Sequence, residues 1–139
     1  MAKTFHLDIR TPEGVAWQGE TEIVTLPGKQ GTFQVLINHA PLLTELEVGE
    51  IRLTDLHGKE QIFASSGGFA EVRLNEVTVL SETIEPATEI DTERARSAKE
   101  RAEERIREVR TNPGSNINRA RAEAALARAE NRLKVVGRM

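Results

Sequence analysis

The chain has 139 residues and a mass of 15.4 kDa, which is enough for one domain or two very small ones and excludes a large multidomain enzyme. Hydrophobic residues make up 38% and charged residues 29%, as in ordinary globular proteins, and no stretch approaches the roughly 20 apolar residues of a membrane-spanning helix. The lack of cysteine excludes disulfides, thiol catalysis and cysteine-ligated metals. Three scattered histidines argue against any other metal site.

The two parts of the chain differ in charge and composition. Residues 1–87 carry 6 basic and 13 acidic side chains, a net charge of −7, whereas residues 88–139 carry 13 and 9, a net charge of +4. The first part holds all five large aromatic residues and eight of the ten glycines, and the second is mostly Ala, Arg and Glu. We place the boundary near Pro86, because the residue before a proline disfavours helix and the Ala/Arg/Glu run begins just beyond it. The sequence therefore predicts two domains, 1–87 and 88–139.

Short runs of alternating polarity dominate the first part. Residues 4–10 place Phe5, Leu7 and Ile9 on one side and polar residues on the other, which is typical of a half-buried strand. Similar runs, separated by turn residues, occupy 22–26, 32–37, 50–54, 60–64, 69–73 and 77–80. Residues 56–59 predict a tight hairpin turn, because Gly58 can adopt the positive φ that such turns need. This spacing predicts an antiparallel sandwich or barrel.

Two reactive-looking groups in the first part have simple structural interpretations. Ser65-Ser66-Gly67-Gly68 resembles a phosphate-binding loop, but it lacks the Gly-Lys-Ser/Thr ending and a following helix, so a turn is favoured. His39 has Glu45 and Glu47 near it in sequence but no accompanying nucleophile, so a structural or interface role is favoured. The sequence predicts no catalytic site, and a hydrolase that uses His39 is the least favoured function.

The second part predicts two helices. The first spans 91–110, with Thr88 or Asp91 as its cap, and the second spans about 118–136 after a break at 111–116. Their predicted apolar seams are Ala95, Ala98, Ala102, Ile106 and Val109 in the first helix and Ala122, Ala125, Ala129, Leu133 and Val136 in the second. The short break predicts an antiparallel hairpin, and an alanine seam buries little area. We therefore expect a hairpin that is marginally stable and able to open.

Arginines recur beside both seams. A shift of 27 residues aligns the arginines of the first helix with those of the second, which pairs Arg94, Arg101 and Arg105 with Arg121, Arg128 and Arg132. We call these two sets the arginine ridges. They are either a solvated surface with Glu/Arg pairs or a binding surface for an anionic partner. That partner is an acidic protein surface, a nucleotide phosphate or nucleic acid, the last being least favoured because the whole chain is acidic and no aromatic residue interleaves the arginines.

Four short motifs occur one after another in the first predicted domain. They are Leu26-Pro27-Gly28, His-Ala-Pro-Leu-Leu at 39–43, Gly-Gly-Phe-Ala-Glu-Val at 67–72 and Val-Thr-Val-Leu at 77–80. Together with the chain length, they resemble the epsilon subunits of bacterial F-type ATP synthases over nearly the full chain. The resemblance implies an α+β fold, in which an N-terminal antiparallel β-sandwich or barrel precedes a C-terminal two-helix antiparallel hairpin.

The resemblance also implies a function and partners. Epsilon subunits are non-catalytic parts of the central rotor stalk, and their sandwich sits against the gamma subunit and the c-ring, where it helps to couple proton flow to ATP synthesis in the alpha/beta head. Their hairpin is either folded or extended along gamma, and the extended form inhibits ATP hydrolysis. By this resemblance Arg121, Arg128 and Arg132 meet an acidic segment of the beta subunits.

The expected location follows from the complex. Asp8 and Arg10 interrupt the start of the chain, so we expect no export signal. The resemblance implies a peripheral position on the cytoplasmic side of the cell membrane or on a thylakoid membrane.

Some epsilon subunits bind ATP in the folded hairpin through an Ile/Leu-Asp-x-x-Arg-Ala motif. Residues 90–95 match it with Ile90, Asp91, Arg94 and Ala95, and by the same resemblance Glu85, Arg101, Arg128 and Arg132 complete the pocket. Arginine binds phosphate oxygens bidentately, although Asp91 also suits a helix cap. The resemblance thus implies ATP as a regulatory ligand and no required cofactor. A free-standing ATP-sensing module is the alternative function.

The chain departs from the family where contacts with gamma and the c-ring are expected. Thr32, Gln34, Ile37 and Asn38 stand in place of the family's Glu, Gly, Pro and Gly, whereas His39 is retained. By resemblance, Thr32 and His39 are the candidate contacts with gamma and the c-ring. Pro86 also stiffens the linker beside the expected nucleotide site.

Overall fold

The computed structural model of the protein describes residues 3–138. The chain divides into two compact units, and the division falls after Ala87. Neither helix in the described range combines the length and hydropathy of a transmembrane span.

The first unit is a nearly closed sheet of ten short strands. They are β1 (Phe5–Thr11), β2 (Gly14–Thr21), β3 (Val24–Gly28), β4 (Gly31–Val35), β5 (Leu42–Leu46), β6 (Gly49–Thr54), β7 (Glu60–Ser65), β8 (Gly68–Arg73), β9 (Glu76–Ser81) and β10 (Ile84–Pro86). Their order is β10-β7-β6-β3-β5-β8-β9-β1-β2, and β4 pairs with β3.

The pairing is antiparallel with one exception. Among the strand pairs of the described residues, only β1 and β9 run parallel, with Leu7 opposite Val77 and Ile9 opposite Val79. Strands joined by tight turns must be antiparallel, but β1 and β9 are far apart in the chain and are free of that constraint. The predicted sandwich or barrel is therefore confirmed, with this single parallel pair as a correction.

Alternating side chains build the core of the first unit. Phe5, Leu7 and Ile9 are buried as the sequence predicts, and the intervening residues are partly exposed. The other large, fully buried apolar side chains are Leu26, Ile51, Leu53, Val24, Val35, Val77 and Val79. Each buried side chain of this size contributes about 1.5–3 kcal/mol of hydrophobic free energy. The sandwich thus has a dense core of branched residues.

Three strands were missing from the sequence prediction. β2 shows no apolar alternation, and most of its residues are exposed because it lies at one end of the sheet. β5 directly follows Pro41, in the interval between the predicted strands 32–37 and 50–54. Proline is compatible with the residue just outside a strand, so it marks the start of β5 rather than excluding a strand there. β10 has only three residues.

The predicted turn between β6 and β7 is confirmed. Gly58 adopts φ 76°, which glycine tolerates without strain. The carboxylate of Asp55 fixes the turn, because its Oδ1 accepts hydrogen bonds from the backbone amides of His57 and Lys59 at 2.9 Å and its Oδ2 accepts one from Gln61 Nε2 at 3.1 Å. These bonds, that of Gln61 most strongly, hold the pKa of the Asp55 carboxyl below its usual value.

The second unit contains the two predicted helices. A short 3₁₀ helix (Ala87–Glu89) leads into it, α1 spans Thr92–Thr111 and α2 spans Arg119–Val136. Asp91 caps α1 by accepting from the Arg94 amide at 3.1 Å, and Asn118 caps α2 by accepting from the Arg121 amide at 3.1 Å. Of the two predicted caps for α1, Asp91 is the one that is used. The short connection makes the helices antiparallel neighbours.

Alanine forms the centre of the helical seam. Ala95 and Ala102 of α1 and Ala122 and Ala129 of α2 are buried. The other predicted seam residues, Ala98, Ile106, Val109, Ala125, Leu133 and Val136, are only partly buried. Near the end of α2 the prediction was wrong by one residue, since Val135 is the fully buried one. Position 135 lies about 120° around the helix from Ala129, so the last turn of α2 is buried on another side.

Candidate functional site

The predicted nucleotide motif lies at the start of α1. Asp91 is exposed, but its side chain is engaged as the helix cap. Arg94 is exposed, and in the described part of the chain no carboxylate pairs with it. Ile90 is half-buried and Ala95 is buried. The motif therefore offers a guanidinium to a ligand, whereas the carboxylate of Asp91 would have to leave its cap or serve both roles.

The remaining residues of the predicted nucleotide pocket lie on three elements. Arg101 is exposed on α1, Arg128 is exposed on α2, and Arg132 is half-buried on α2 and has an interaction partner. Glu85 lies in the other unit, on β10 opposite Ala64, and is half-buried. Because these residues are spread over three elements, the nucleotide site stays a prediction.

Part of the arginine ridges does converge. A cleft of about 550 Å³ between α1 and α2 is lined by Arg105, Arg121 and Arg128, with Asn116 and Asn118 beside them. Its floor includes Ala122 and Ala125. Arg121 and Arg128 were predicted to contact beta subunits, but Arg105 was not predicted as a site residue. Its place in the 27-residue repeat was the available signal, although the repeat alone does not say which arginines face each other across the seam.

The candidate contacts on the sandwich are dispersed. Thr32 is exposed on β4, and His39 is half-buried in the segment before β5. The His39 ring places Nδ1 2.7 Å from the Ala40 carbonyl oxygen, to which it donates. Within residues 3–138 no hydroxyl or carboxylate pairs with this ring, so nothing supports it as a catalytic base.

The backbone conformation of Asn38 accounts for one of the departures from the family. Its φ is 62°, a left-handed conformation that Asn tolerates better than most residues and that a glycine at this position would adopt without cost. Its backbone amide donates to Asn75 Oδ1 at 2.7 Å, and Asn75 Nδ2 donates to Asn38 Oδ1 at 3.2 Å. The segment before β5 is thereby tied to the turn between β8 and β9 by both Asn side chains.

One face of the sheet carries an apolar patch that the sequence did not predict. Phe69 of β8 and Leu80 of β9 are directly paired and are 53% and 52% exposed, and Leu43 of β5 is diagonal to Phe69 and 71% exposed. Arg10 of β1 is directly paired with Leu80 on the other side of β9 from Phe69. The sequence contained a signal for this patch. In the alternating patterns of β8 and β9, Phe69 and Leu80 occupy the side of the strand whose neighbouring residues are polar, which is the side expected to face solvent. We call Leu43, Phe69 and Leu80 the apolar patch.

Comparison with known proteins agrees with both units. The family model of the ATP synthase delta/epsilon chain beta-sandwich domain matches residues 4–87, and that of the long alpha-helix domain matches residues 88–137. The chain belongs to the delta/epsilon family of ATP synthase subunits. The resemblance to epsilon subunits is thus confirmed.

Relatives of this delta/epsilon family member support the same conclusion. The chain is 49% identical over 106 residues to the ATP synthase epsilon chain of Desulfitobacterium hafniense (strain Y51), covering 76% of this chain and 80% of the relative. It is 45% identical over 116 residues to that of Salinibacter ruber (strain DSM 13855 / M31), covering 78% of each. Like these relatives, the chain is a non-catalytic epsilon-type subunit of an ATP synthase.

A solved structure supports the fold of this epsilon-type chain. A chain in the Euglena gracilis mitochondrial ATP synthase, determined as the OSCP/F1/c-ring assembly, matches with a TM-score of 0.79 at 24% identity. The match covers 94% of this chain and 79% of that one. The sandwich followed by two helices is therefore the architecture of a known ATP synthase chain.

Proposed function

We propose that this epsilon-type subunit works in the central rotor stalk, where its sandwich contacts gamma and the c-ring and helps to couple proton flow to ATP synthesis. We further propose that its hairpin leaves the folded state and inhibits ATP hydrolysis in the alpha/beta head. The observation that carries the inhibitory role is the combination of an alanine seam with Arg121 and Arg128, which have no carboxylate at ion-pair distance in the described residues. The protein is then held at the membrane through the complex.

The apolar patch supports the role of the sandwich. Large apolar side chains that adjoin one another on an exposed sheet face favour contact with another protein. We assign this face to gamma, since charged residues such as Arg10 and Glu71 border the patch and gamma is the proposed protein partner of the sandwich. Thr32 and His39 remain the proposed contacts with gamma and the c-ring.

The patch is tested by the affinity of purified gamma for the full chain. Phe69→Glu introduces a charge at the centre of the patch and is expected to weaken gamma binding by at least about tenfold. Leu56→Glu, at an exposed position in the turn between β6 and β7, is the control and should bind normally. Equal gamma binding by both variants would show that the apolar patch is not part of the interface with gamma.

The hairpin suits a conformational switch because little free energy holds its helices together. A buried alanine contributes about 0.8 kcal/mol per methyl group, well below a buried Leu or Ile. Arg121 and Arg128 lie on one face of α2, seven residues apart, and neither pairs with a carboxylate in the described residues. An acidic segment of a beta subunit would supply those partners in the extended state.

Regulation by ATP is the second element of the proposal. ATP held by Arg94 and the pocket residues would stabilise the folded hairpin only as far as it binds that state better than the extended one. High ATP is therefore expected to relieve inhibition. Arg94→Ala should remove this relief and leave inhibition at low ATP intact.

The test of inhibition uses a catalytic head depleted of its own epsilon subunit. The wild-type chain is expected to lower ATP hydrolysis at low ATP, and a variant with Arg121, Arg128 and Arg132 changed to Ala is expected to bind the head without inhibiting it. A control with Arg107, Arg110 and Arg119 changed to Ala removes the same charge elsewhere on the hairpin. Full inhibition by the first variant would contradict the proposal, and failure of the wild type to copurify with gamma would favour the free-standing module.

A further inference from the structure

We propose that the free chain forms a weak two-fold dimer through the sheet face that carries the apolar patch. The partner on this face is a second copy of the chain, and strands β5, β8, β9 and β1 make the contact. The dimer does not depend on the contact with gamma or on the inhibitory role proposed above. Its basis is the order of charged and apolar side chains across the sheet.

One row of exposed side chains crosses four strands of this face. Its members are directly paired from strand to strand and stand in the order Glu45, Phe69, Leu80 and Arg10. All four side chains are exposed. The row therefore has an acidic end on β5, an apolar centre on β8 and β9, and a basic end on β1.

A two-fold axis makes this row complementary to itself. The axis runs along the strands between β8 and β9, in the plane between two facing sheets. A half-turn about it reverses the order of the row, so Glu45 of one copy faces Arg10 of the second copy at each end. In the centre, Phe69 of one copy faces Leu80 of the second copy. Apolar side chains thus cover one another, and both charged contacts join opposite signs.

The residues at the two ends of the row keep atoms available for this contact. Arg10 Nε donates to Asp8 Oδ2 at 2.8 Å, and Lys29 Nζ donates to Glu45 Oε2 at 3.1 Å. Among the described residues, the Nη groups of Arg10 and Oε1 of Glu45 have no further partner. Because bonds within the chain already hold both side chains, a charge-assisted contact across the axis needs little additional ordering.

The neighbouring rows of the face fit the same axis. Arg73 and Glu76 are directly paired, so the half-turn places Arg73 of one copy opposite Glu76 of the second. In the row between, Glu71 comes opposite the uncharged Thr78. Asp8, another acid of that row, has a side chain that is only 14% exposed and is bound by Arg10 of its own chain. The axis therefore brings no like charges face to face among these described residues.

A groove beside the first row gives the facing side chains room. It has a volume of about 580 Å³ and is lined in part by Phe69, Leu80, Pro12, Gly67 and Gly68. Side chains interdigitate where two sheets pack face to face. The groove can therefore accept the Phe69 ring of the second copy next to Leu80.

The size of the face sets the strength of the dimer. Four strands at a spacing of about 4.8 Å and three rows about 7 Å apart give roughly 400 Å² per copy. The pair then buries about 800 Å², which is below the roughly 1,200 Å² at which stable interfaces begin. We expect a dissociation constant on the order of 100 µM, so the dilute chain is mostly monomeric and the concentrated chain dimeric.

The dimer has a consequence for assembly, and this consequence rests on the proposed function. Gamma is assigned to the same face, so a chain bound to gamma cannot dimerise through it. A weak dimer covers the apolar patch of unassembled chains and dissociates when gamma is present. Gamma binding is measured separately, so the absence of a dimer and the absence of a gamma contact are distinguishable results.

Sedimentation equilibrium of the full chain between about 10 µM and 1 mM tests the dimer. The weight-average mass is expected to rise from 15.4 kDa towards twice that value. Arg10→Glu and Glu45→Arg each place like charges opposite one another at both ends, and each should raise the dissociation constant at least about tenfold. Arg107→Glu, at an exposed position of the other unit, is the control for charge reversal. A mass that stays at 15.4 kDa over the whole range would overturn the proposal.

Mixing the two variants tests the two-fold arrangement itself. In a mixed pair, the Arg10→Glu chain has two acidic ends and the Glu45→Arg chain has two basic ends, so both contacts again join opposite charges. The equimolar mixture is expected to dimerise, although neither variant does so alone at the same concentration. Both positions are exposed, and the amide spectrum of each variant shows whether it is folded. A folded mixture that stays monomeric, or single variants that dimerise like the wild type, would overturn the arrangement.

Discussion

The two units of the chain bury different kinds of side chain. The sandwich packs Leu7, Ile9, Leu26 and Ile51 into a core with no exposure at all, while the buried centre of the hairpin consists of alanines and Val135. The net charges differ as well, at −7 for residues 1–87 and +4 for residues 88–139. Hydrophobic burial therefore stabilises the folded state of the first unit strongly. In the second unit it contributes little, so separation of the helices costs little free energy.

In the proposed function, one small chain combines assembly through its sandwich with regulation through its hairpin. An exposed apolar patch on a sheet with a well-packed core needs little ordering before it binds another protein, so the entropy cost of that contact is small. In the proposed function, Arg121 and Arg128, which have no carboxylate at ion-pair distance in the described residues, bind an acidic protein surface when the weakly packed hairpin opens.

Truncation of the sandwich core should have the largest effect. Ile51 is fully buried on β6 opposite Phe63, so Ile51→Ala removes contacts that cannot be replaced and leaves a cavity. We expect a loss of about 3 kcal/mol in the free energy of unfolding of the sandwich, measured by urea denaturation. Leu56→Ala, at an exposed position, is the control, and an equal loss in both variants would deny that the core dominates stability.

Overpacking of the helical seam should have a smaller and local effect. Ala102→Leu forces a large side chain into a fully buried position of α1 and is expected to destabilise the hairpin by about 2 kcal/mol. Hydrogen exchange should then accelerate in both helices and remain unchanged in β1 and β9. The control is Ala127→Leu at an exposed position of α2. Acceleration in the strands as well would show that the two units do not respond separately.

Removal of the α2 cap should cost less. The Asn118 side chain accepts a hydrogen bond from the Arg121 amide at 3.1 Å, so Asn118→Ala leaves that amide without its partner. We expect a loss of about 1 kcal/mol in helix stability, seen as fraying of the first turn of α2 by NMR. Asn118→Asp retains an accepting oxygen and should restore the turn. Fraying in both variants would contradict a capping role.

The smallest predicted effect is a pH dependence at the turn between β6 and β7. Folding lowers the pKa of Asp55, so the ionised carboxylate stabilises the folded state above its unfolded pKa, and this contribution is lost as pH falls through the folded pKa. Asp55→Asn keeps an accepting oxygen but removes the charge. The stability difference between wild type and this variant should shrink on acidification. A difference that stays constant across the acid range would contradict the assignment.

Much of the fold could be predicted from the sequence because burial follows simple periods. Alternation located β1, β6 and β8, and the spacing of alanine located both helices. β2 lacked that signal because it is mostly exposed, and Pro41 masked the start of β5. The parallel pairing of β1 with β9 was missed because it joins strands distant in sequence, which no local pattern records.

The candidate sites were less predictable. The 27-residue repeat identified the arginines, but only the packing of α1 against α2 shows that Arg105 shares a cleft with Arg121 and Arg128. The apolar patch was hidden for a related reason, because pairing in the sheet decides that Phe69 and Leu80 are adjacent. Sequence periodicity describes one element at a time, and these sites arise between elements.

Hydrogen exchange of the full wild-type chain, resolved by residue, tests the contrast between the two units most directly. We predict that the amides of α1 and α2 exchange at least about a hundredfold faster than the core amides of Leu7 and Val79, because opening of the hairpin requires less free energy than unfolding of the sandwich. Equal protection in the helices and the core strands would mean that the hairpin is as stable as the sandwich. That result would contradict its proposed role as the mobile, regulatory part of the molecule.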